Sequence, residues 1–226
     1  MATLFHIPGD RFMLPHVAPQ QIREQPRAAK AQRQTALRAW NIYKDQLERT
    51  AAILIRKTPF SEATLLCTWI SEQCGRIKTS AHGARSFRSP FQGGLELFCE
   101  VEICFERSRK SDLYSLREAR AMPPFVAGKF SYFNLVLAAY FSELAEAVLP
   151  VLDESAPEVF DLLRVGLRYL QRSPASLCAL TKFESSLCRR IGIGGPPLEA
   201  LEHYCGYLPR SRATAFRALR VRRGTL

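Results

Sequence analysis

The sequence is short of the residues and spacings that most catalytic chemistry requires. Its four histidines, His6, His16, His82 and His203, stand far apart. No Gly-x-x-x-x-Gly-Lys phosphate loop and no metal-spaced carboxylate cluster occurs, so no enzyme is expected. None of its seven cysteines stands in a Cys-x-x-Cys pair. Cys67 and Cys74, like Cys99 and Cys104, have opposite parity, so on a regular strand each pair faces opposite sides. Buried reduced thiols, rather than a disulfide or a shared metal, follow from that spacing. A continuous apolar run of membrane length is also missing. The nearest stretch, 130–152, is broken by Asn134, Glu143 and Glu146 and reads as a buried helix. Residues 1–19 lack a charged start followed by an apolar run, so no secretory signal and a cytoplasmic location are expected.

Negative charge is scarce as well. Lysine and arginine number 32 against 21 carboxylates, a formal net charge of +11 with a pI near 9.6. An acidic partner is implied, with nucleic acid ahead of a membrane surface because no long basic amphipathic anchor is visible. The scarcity is sharpest between Glu72 and Glu96, where no carboxylate occurs. Inside that gap lies Gly75-Arg76-Ile77-Lys78-Thr79-Ser80-Ala81-His82-Gly83-Ala84-Arg85-Ser86-Phe87-Arg88-Ser89. Strand alternation puts Arg76, Lys78, Ser80 and His82 on one wet face and Ile77, Thr79 and Ala81 on a face that can be buried. Arg76, Lys78, Arg85 and Arg88 are candidate phosphate contacts, with His82 a weaker one. Phe87 and Phe91 are candidates for base stacking.

The remaining chain supplies a scaffold; its 226 residues suffice for one large domain or two small ones. Residues 1–48 read as a basic extension: prolines break its first part, and 28–47 has helical spacing through Leu37, Trp40, Tyr43 and Leu47. Short β segments follow at 51–57, 63–71, 75–84, 95–106 and 113–118. In the fourth, Leu97, Cys99, Val101, Ile103 and Phe105 alternate with Phe98, Glu100, Glu102, Cys104 and Glu106. Five strands in roughly 70 residues suggest a small closed barrel over 49–120, of which the OB-fold is the common oligonucleotide-binding form. After Met122-Pro123-Pro124 a helical domain is expected over 125–226. It begins with a helix over 129–149. Ser155 to Glu158 reads as a capping box opening the second helix, and Ser173-Pro174 as the start of the third, which stops at Gly192. Beyond Ile191, six arginines face only Glu199 and Glu202, leaving a net +4 over the end of the chain.

The middle of the chain resembles the RecO family of bacterial DNA repair proteins. The resemblance starts at Ala51-Ala52-Ile53-Leu54 and Ser61-Glu62-Ala63. It is clearest from Gly75-Arg76 through Ala81-His82-Gly83-Ala84-Arg85 and Ser89. It continues through Leu113-Tyr114-Ser115-Leu116 with Glu118, Ala138-Ala139-Tyr140, Glu143-Leu144 and Phe160-Asp161-Leu162-Leu163, and ends near Phe183-Glu184 and Gly192. The resemblance implies an α+β protein with an N-terminal five-stranded OB-fold barrel followed by an α-helical domain. It implies binding of single- and double-stranded DNA and annealing of complementary strands. It further implies work with RecR, engagement of the acidic C-terminal tail of single-stranded-DNA-binding protein, and help in loading RecA on coated strands. Arg164, Arg168, Lys182 and Arg189 are candidates for a groove that receives that tail.

Three departures from the family pattern matter. His82 stands where lysine is common, exchanging a permanent charge for one that changes between about pH 5 and 8. Many relatives carry two zinc-holding Cys-x-x-Cys pairs late in the helical domain, whereas here only Cys205-Gly206 is similar to them, so no zinc is expected. The N-terminal extension has no counterpart in the pattern. Two other readings stay open at this point: an OB-fold RNA-binding protein, and a helical adaptor with little DNA activity of its own.

Overall fold

The computed structural model describes residues 47–91, 93–108, 111–122, 130–149 and 155–223. The helix expected over 28–47 lies outside them except at Leu47, and Leu47 is already strand. The alternating segments become five strands: β1 (Leu47–Pro59), β2 (Leu65–Ser71), β3 (Gly75–Ala81), β4 (Glu100–Glu106) and β5 (Leu113–Ala121). They close in the order β1-β2-β3-β5-β4, with β3 and β5 parallel through Lys78 and Leu113 and the other pairs antiparallel. This is an OB-fold barrel, and closure leaves no long unpaired edge. β1 is long enough to close it alone, pairing with β4 through Leu47–Ile53 and with β2 through Ala52–Pro59.

Alternation decides what fills the barrel. Leu54, Trp69, Ile77, Ile103, Phe105 and Leu116 point inward, and the Trp69 indole donates to Thr79 Oγ1 at 2.8 Å, so the interior's polar atoms are matched. On β1 the register shifts between Leu54 and Arg56. That bulge keeps Arg56, which strict alternation would turn inward, outside the barrel, where it pairs with Glu146 at 2.7 Å.

The fourth strand is shorter than its alternation predicts. It starts at Glu100 because Phe98 takes a left-handed turn (φ 62°), donating its N–H to Leu54 O at 2.8 Å. The turn carries the Phe98 ring out of the barrel and into the helical core. The preceding loop lies so close to β5 that a Cβ on Gly94 would stand 2.3 Å from Ala119 O, which requires glycine there.

Among the described residues five helices follow: α1 (Tyr132–Val148), α2 (Ala156–Arg172), α3 (Leu177–Arg190), α4 (Pro197–Cys205) and α5 (Ser211–Arg223). None is long and apolar enough to cross a membrane. One expected helix start holds and one is corrected. Ser155 is the N-cap of α2 as expected, with Pro157 in the first turn, though its side chain makes no cap bond. Ser173 ends α2 instead of opening α3, whose cap is Ser176, accepting from the Ala179 N–H at 3.1 Å. Asn134 explains the difference. It is buried, accepts from the Ala175 N–H at 2.9 Å and donates to the carbonyls of Leu170 and Ser173, so it holds the chain extended across this corner.

Barrel and helices share one core. Ile53, Ile55 and Ile70, on the outside of β1 and β2, pack with Phe98, Leu137, Tyr140, Phe141, Leu163 and Leu167, and Asp45–Leu226 forms one compact unit. Phe141 stacks on Phe183 at 3.8 Å, over Gly166, where a Cβ would press on both rings. At the seam Glu100 is buried and receives Arg168 at 2.6 Å and Arg164 at 3.7 Å. Glu100→Ala leaves Arg168 without its carboxylate and Arg164 with Asp161 alone, and is expected to lower stability by about 2 kcal/mol in urea unfolding. An unchanged midpoint would show the seam to be held by apolar packing alone.

All seven cysteines are free. Burial pushes the Cys67 thiol up to about 11 and the Cys99 thiol up to about 12. Cys178 is exposed and Cys205 half-buried. Ellman's reagent is therefore expected to label Cys178 rapidly and Cys205 more slowly, and to reach the other five only on unfolding.

Candidate nucleic-acid interface

The β2–β3 turn sets β3 in place. Ser71 Oγ donates to Gly75 O at 3.0 Å and accepts from the Cys74 N–H at 3.0 Å, while Gly75 takes a left-handed φ of 65°. From there Ile77, Thr79 and Ala81 enter the barrel and Arg76 and Lys78 point away from it. Arg76 is half-buried at the end that α2 overlies, and Lys78 is exposed. Ser80 lies on the same outer side but is buried, donating to Tyr114 O on the parallel neighbour at 3.3 Å. The wet face expected of β3 is thus shorter than its alternation predicts.

Past β3 the chain makes a run of tight turns. Gly83 takes a φ of 75°, the Ser86 N–H donates to Gly83 O at 3.1 Å, and the Ser89 N–H donates to Ser86 O at 3.1 Å. This loop is docked on the β1–β2 turn. Arg85 donates from Nη1 to Ser61 O at 2.7 Å and from its backbone to Ala63 O at 3.3 Å, and the His82 ring meets Thr64 Oγ1 at 3.3 Å. Arg85 and His82 therefore fix the loop. Arg88 is exposed, and Phe87 has its whole ring in solvent.

Phe91 corrects an expectation. It is 4% exposed inside the barrel core, because the loop folds back over the barrel at this point, so it is unavailable for stacking on a base. Phe60 takes its place: it stands 68% exposed in the β1–β2 turn, the turn that the 82–89 loop is bonded to. Its only sequence signal is an aromatic between Pro59 and a polar turn.

Charge pairing separates this region from the rest of the barrel. Arg49 and Arg120 pair with Glu118, Arg56 with Glu146, Arg107 with Glu48, and Arg117 with Glu106. Among the described residues, the side chains of Arg76, Lys78 and Arg88 have no such partner. Glu62 is the single carboxylate in the two docked loops.

The second predicted group is divided. Arg164 and Arg168 are committed to Glu100, and Arg164 also binds Asp161 at 2.5 Å. That hydrogen bond, with Arg190 at 3.3 Å, holds the Asp161 carboxyl below its usual range. The depression beside them is lined by Ile53, Phe98, Glu100 and Leu167 and includes neither Lys182 nor Arg189, which are exposed on α3. Among the described residues no three histidine, cysteine or carboxylate side chains gather as a metal site.

Residues 46–125, the whole barrel, match the model of the family described as recombination protein O N terminal. The barrel is a RecO N-terminal domain. It is 30% identical over 159 residues to the DNA repair protein RecO of Desulforudis audaxviator, covering 66% of this chain and 63% of that one. To the RecO of Vibrio vulnificus it is 31% identical over 150 residues, 66% of this chain and 59% of the relative. To that of Anaeromyxobacter dehalogenans it is 30% identical over 162 residues, 72% and 62% respectively. The chain spans about three fifths of the length of these family members.

The contrast between the aromatics is measurable. Phe91→Ala is expected to cost about 3–5 kcal/mol of stability, and Phe60→Ala or Phe87→Ala less than about 0.5 kcal/mol. A large loss at Phe87 in denaturant unfolding would contradict its exposure.

Proposed function

We propose that this chain is a non-catalytic DNA-binding protein of recombinational repair that anneals complementary single strands and helps load RecA on coated single-stranded DNA. The observation that carries the reading is the row of cations without a carboxylate partner on β3 and its loop, on a barrel whose other arginines, among the described residues, are matched to carboxylates. The family match supports it, since the relatives are named as DNA repair proteins. Annealing requires no bond chemistry: a basic surface screens the repulsion between two strands while base pairs form. Arg76, Lys78, Arg85 and Arg88 contact phosphates, His82 adds a weaker contact, and Phe87 and Phe60 stack on bases, each worth about 1–3 kcal/mol.

The proposed partners are single- and double-stranded DNA, RecR, and the acidic tail of single-stranded-DNA-binding protein. Lys182 and Arg189 on α3 are the better-placed cations for that tail, because Arg164 and Arg168 already hold Glu100.

Fluorescence annealing of complementary oligonucleotides, bare and coated, tests the reading. The wild type is expected to accelerate annealing, and the folded Arg76/Lys78/Arg85/Arg88→Ala variant to lose the effect. Log affinity for a single strand should fall against log salt with a slope of about −3, for four neutralised phosphates. His82→Ala should weaken single-strand binding less than Lys78→Ala does. Annealing retained by the quadruple variant would refute the placement on β3.

A further inference from the structure

A second cationic surface lies at the other end of the described chain. After Glu202 the sequence has no carboxylate side chain at all. α5 is seated through its first turn, where Arg212 binds the buried Glu184 at 2.7 Å and Ser211 donates to Glu143 at 2.6 Å. Ala215 and Leu219 are its buried positions, packed toward α1 and α3. The opposite side carries Arg217 and Arg220, both exposed and one turn apart. Among the described residues Arg217 bonds from Nε to Ala213 O and Arg220 lies over the Phe216 ring, and neither pairs with a carboxylate. Arg210, at the entrance to the helix, is exposed and has no side-chain partner among the described residues.

Exposed aromatic rings occur in the turn that leads into this helix. Gly206 turns the chain between α4 and α5 with a φ of 74°, and Tyr204 and Tyr207 on either side of it are 47% and 59% exposed. Both are large apolar rings left in water next to His203 and Arg210. An acidic peptide would need the cations alone. Flat rings interleaved with cations match a polymer with an anionic backbone and stackable bases.

From this we infer that the α4–α5 turn and the outer side of α5 form a second binding site for a single nucleic-acid strand. The inference rests on the reading of β3 as the first site and gives the molecule two strands to hold. α1 touches both β1 and α5, so one helix links the barrel to the helix that carries the second site. A strand held on α5 is tethered near the one on the barrel, which raises its effective concentration for pairing.

The test uses the full chain with two non-complementary oligothymidylates, one carrying a donor dye and one an acceptor. Energy transfer is expected for the wild type. Arg210/Arg217/Arg220→Ala should bind one strand with unchanged affinity and lose the transfer, and the salt slope for the second strand should become shallower by about 2. Photocrosslinking with 5-iodouracil oligonucleotides should place adducts on Tyr204 or Tyr207. Undiminished transfer in the triple variant, or adducts confined to the barrel, would overturn the site. A triple variant that keeps both but binds polyglutamate more weakly would do so too, assigning the patch to an acidic protein. If instead the quadruple barrel variant binds its first strand normally, the β3 reading fails while tyrosine adducts still uphold the α5 site.

Discussion

A closed barrel leaves no freedom about which side chains of a strand are inside. Once β1 pairs with β2 along one part of its length and β4 along another, Ile77, Thr79 and Ala81 must fill the interior, and Arg76 and Lys78 must face out. The helices then cover part of the outer surface, because Ile53, Ile55 and Ile70 present an apolar patch that water cannot satisfy. The surface that stays open includes the side of β3 away from that patch and the end of the barrel where the β1–β2 turn and the 82–89 loop are bonded together. The site is thus defined by what closure and burial leave uncovered.

Electrostatics sharpens the same boundary. A strongly basic chain has many surface arginines, and most of them on this barrel are answered by a carboxylate one strand or one helix away. Glu100 shows how far that matching goes: it is buried on β4 so that two arginines of α2 can be held against the barrel. On β3 and in its loop, cations were placed and carboxylates were not. The matching of the other described barrel arginines sets this unpaired row apart on the barrel surface.

Much of this was legible beforehand, for reasons that can be named. Period-two alternation located β3 and the inward set of β4, although the strand expected over 75–84 ends at Ala81, ahead of the left-handed Gly83. Pattern reading failed where a tertiary contact overrode a local preference. Leu47 fits a helical stripe, yet pairing with Glu106 draws it into β1. Ser173 has the look of a cap, but Asn134, nearly forty residues earlier, fixes that corner. Phe91 and Phe87 are equivalent in sequence, and only the fold-back of the loop buries one and exposes the other. Phe60 and the commitment of Arg164 and Arg168 to Glu100 depend on contacts between distant segments, which spacing along the chain does not encode.

Hydrogen exchange with and without a bound oligothymidylate would test the central claim most directly. The account predicts new protection in the β1–β2 turn around 60–64 and in 78–89, the two segments joined by Arg85 and His82. Exchange unchanged in both segments, at saturating oligonucleotide, would contradict it.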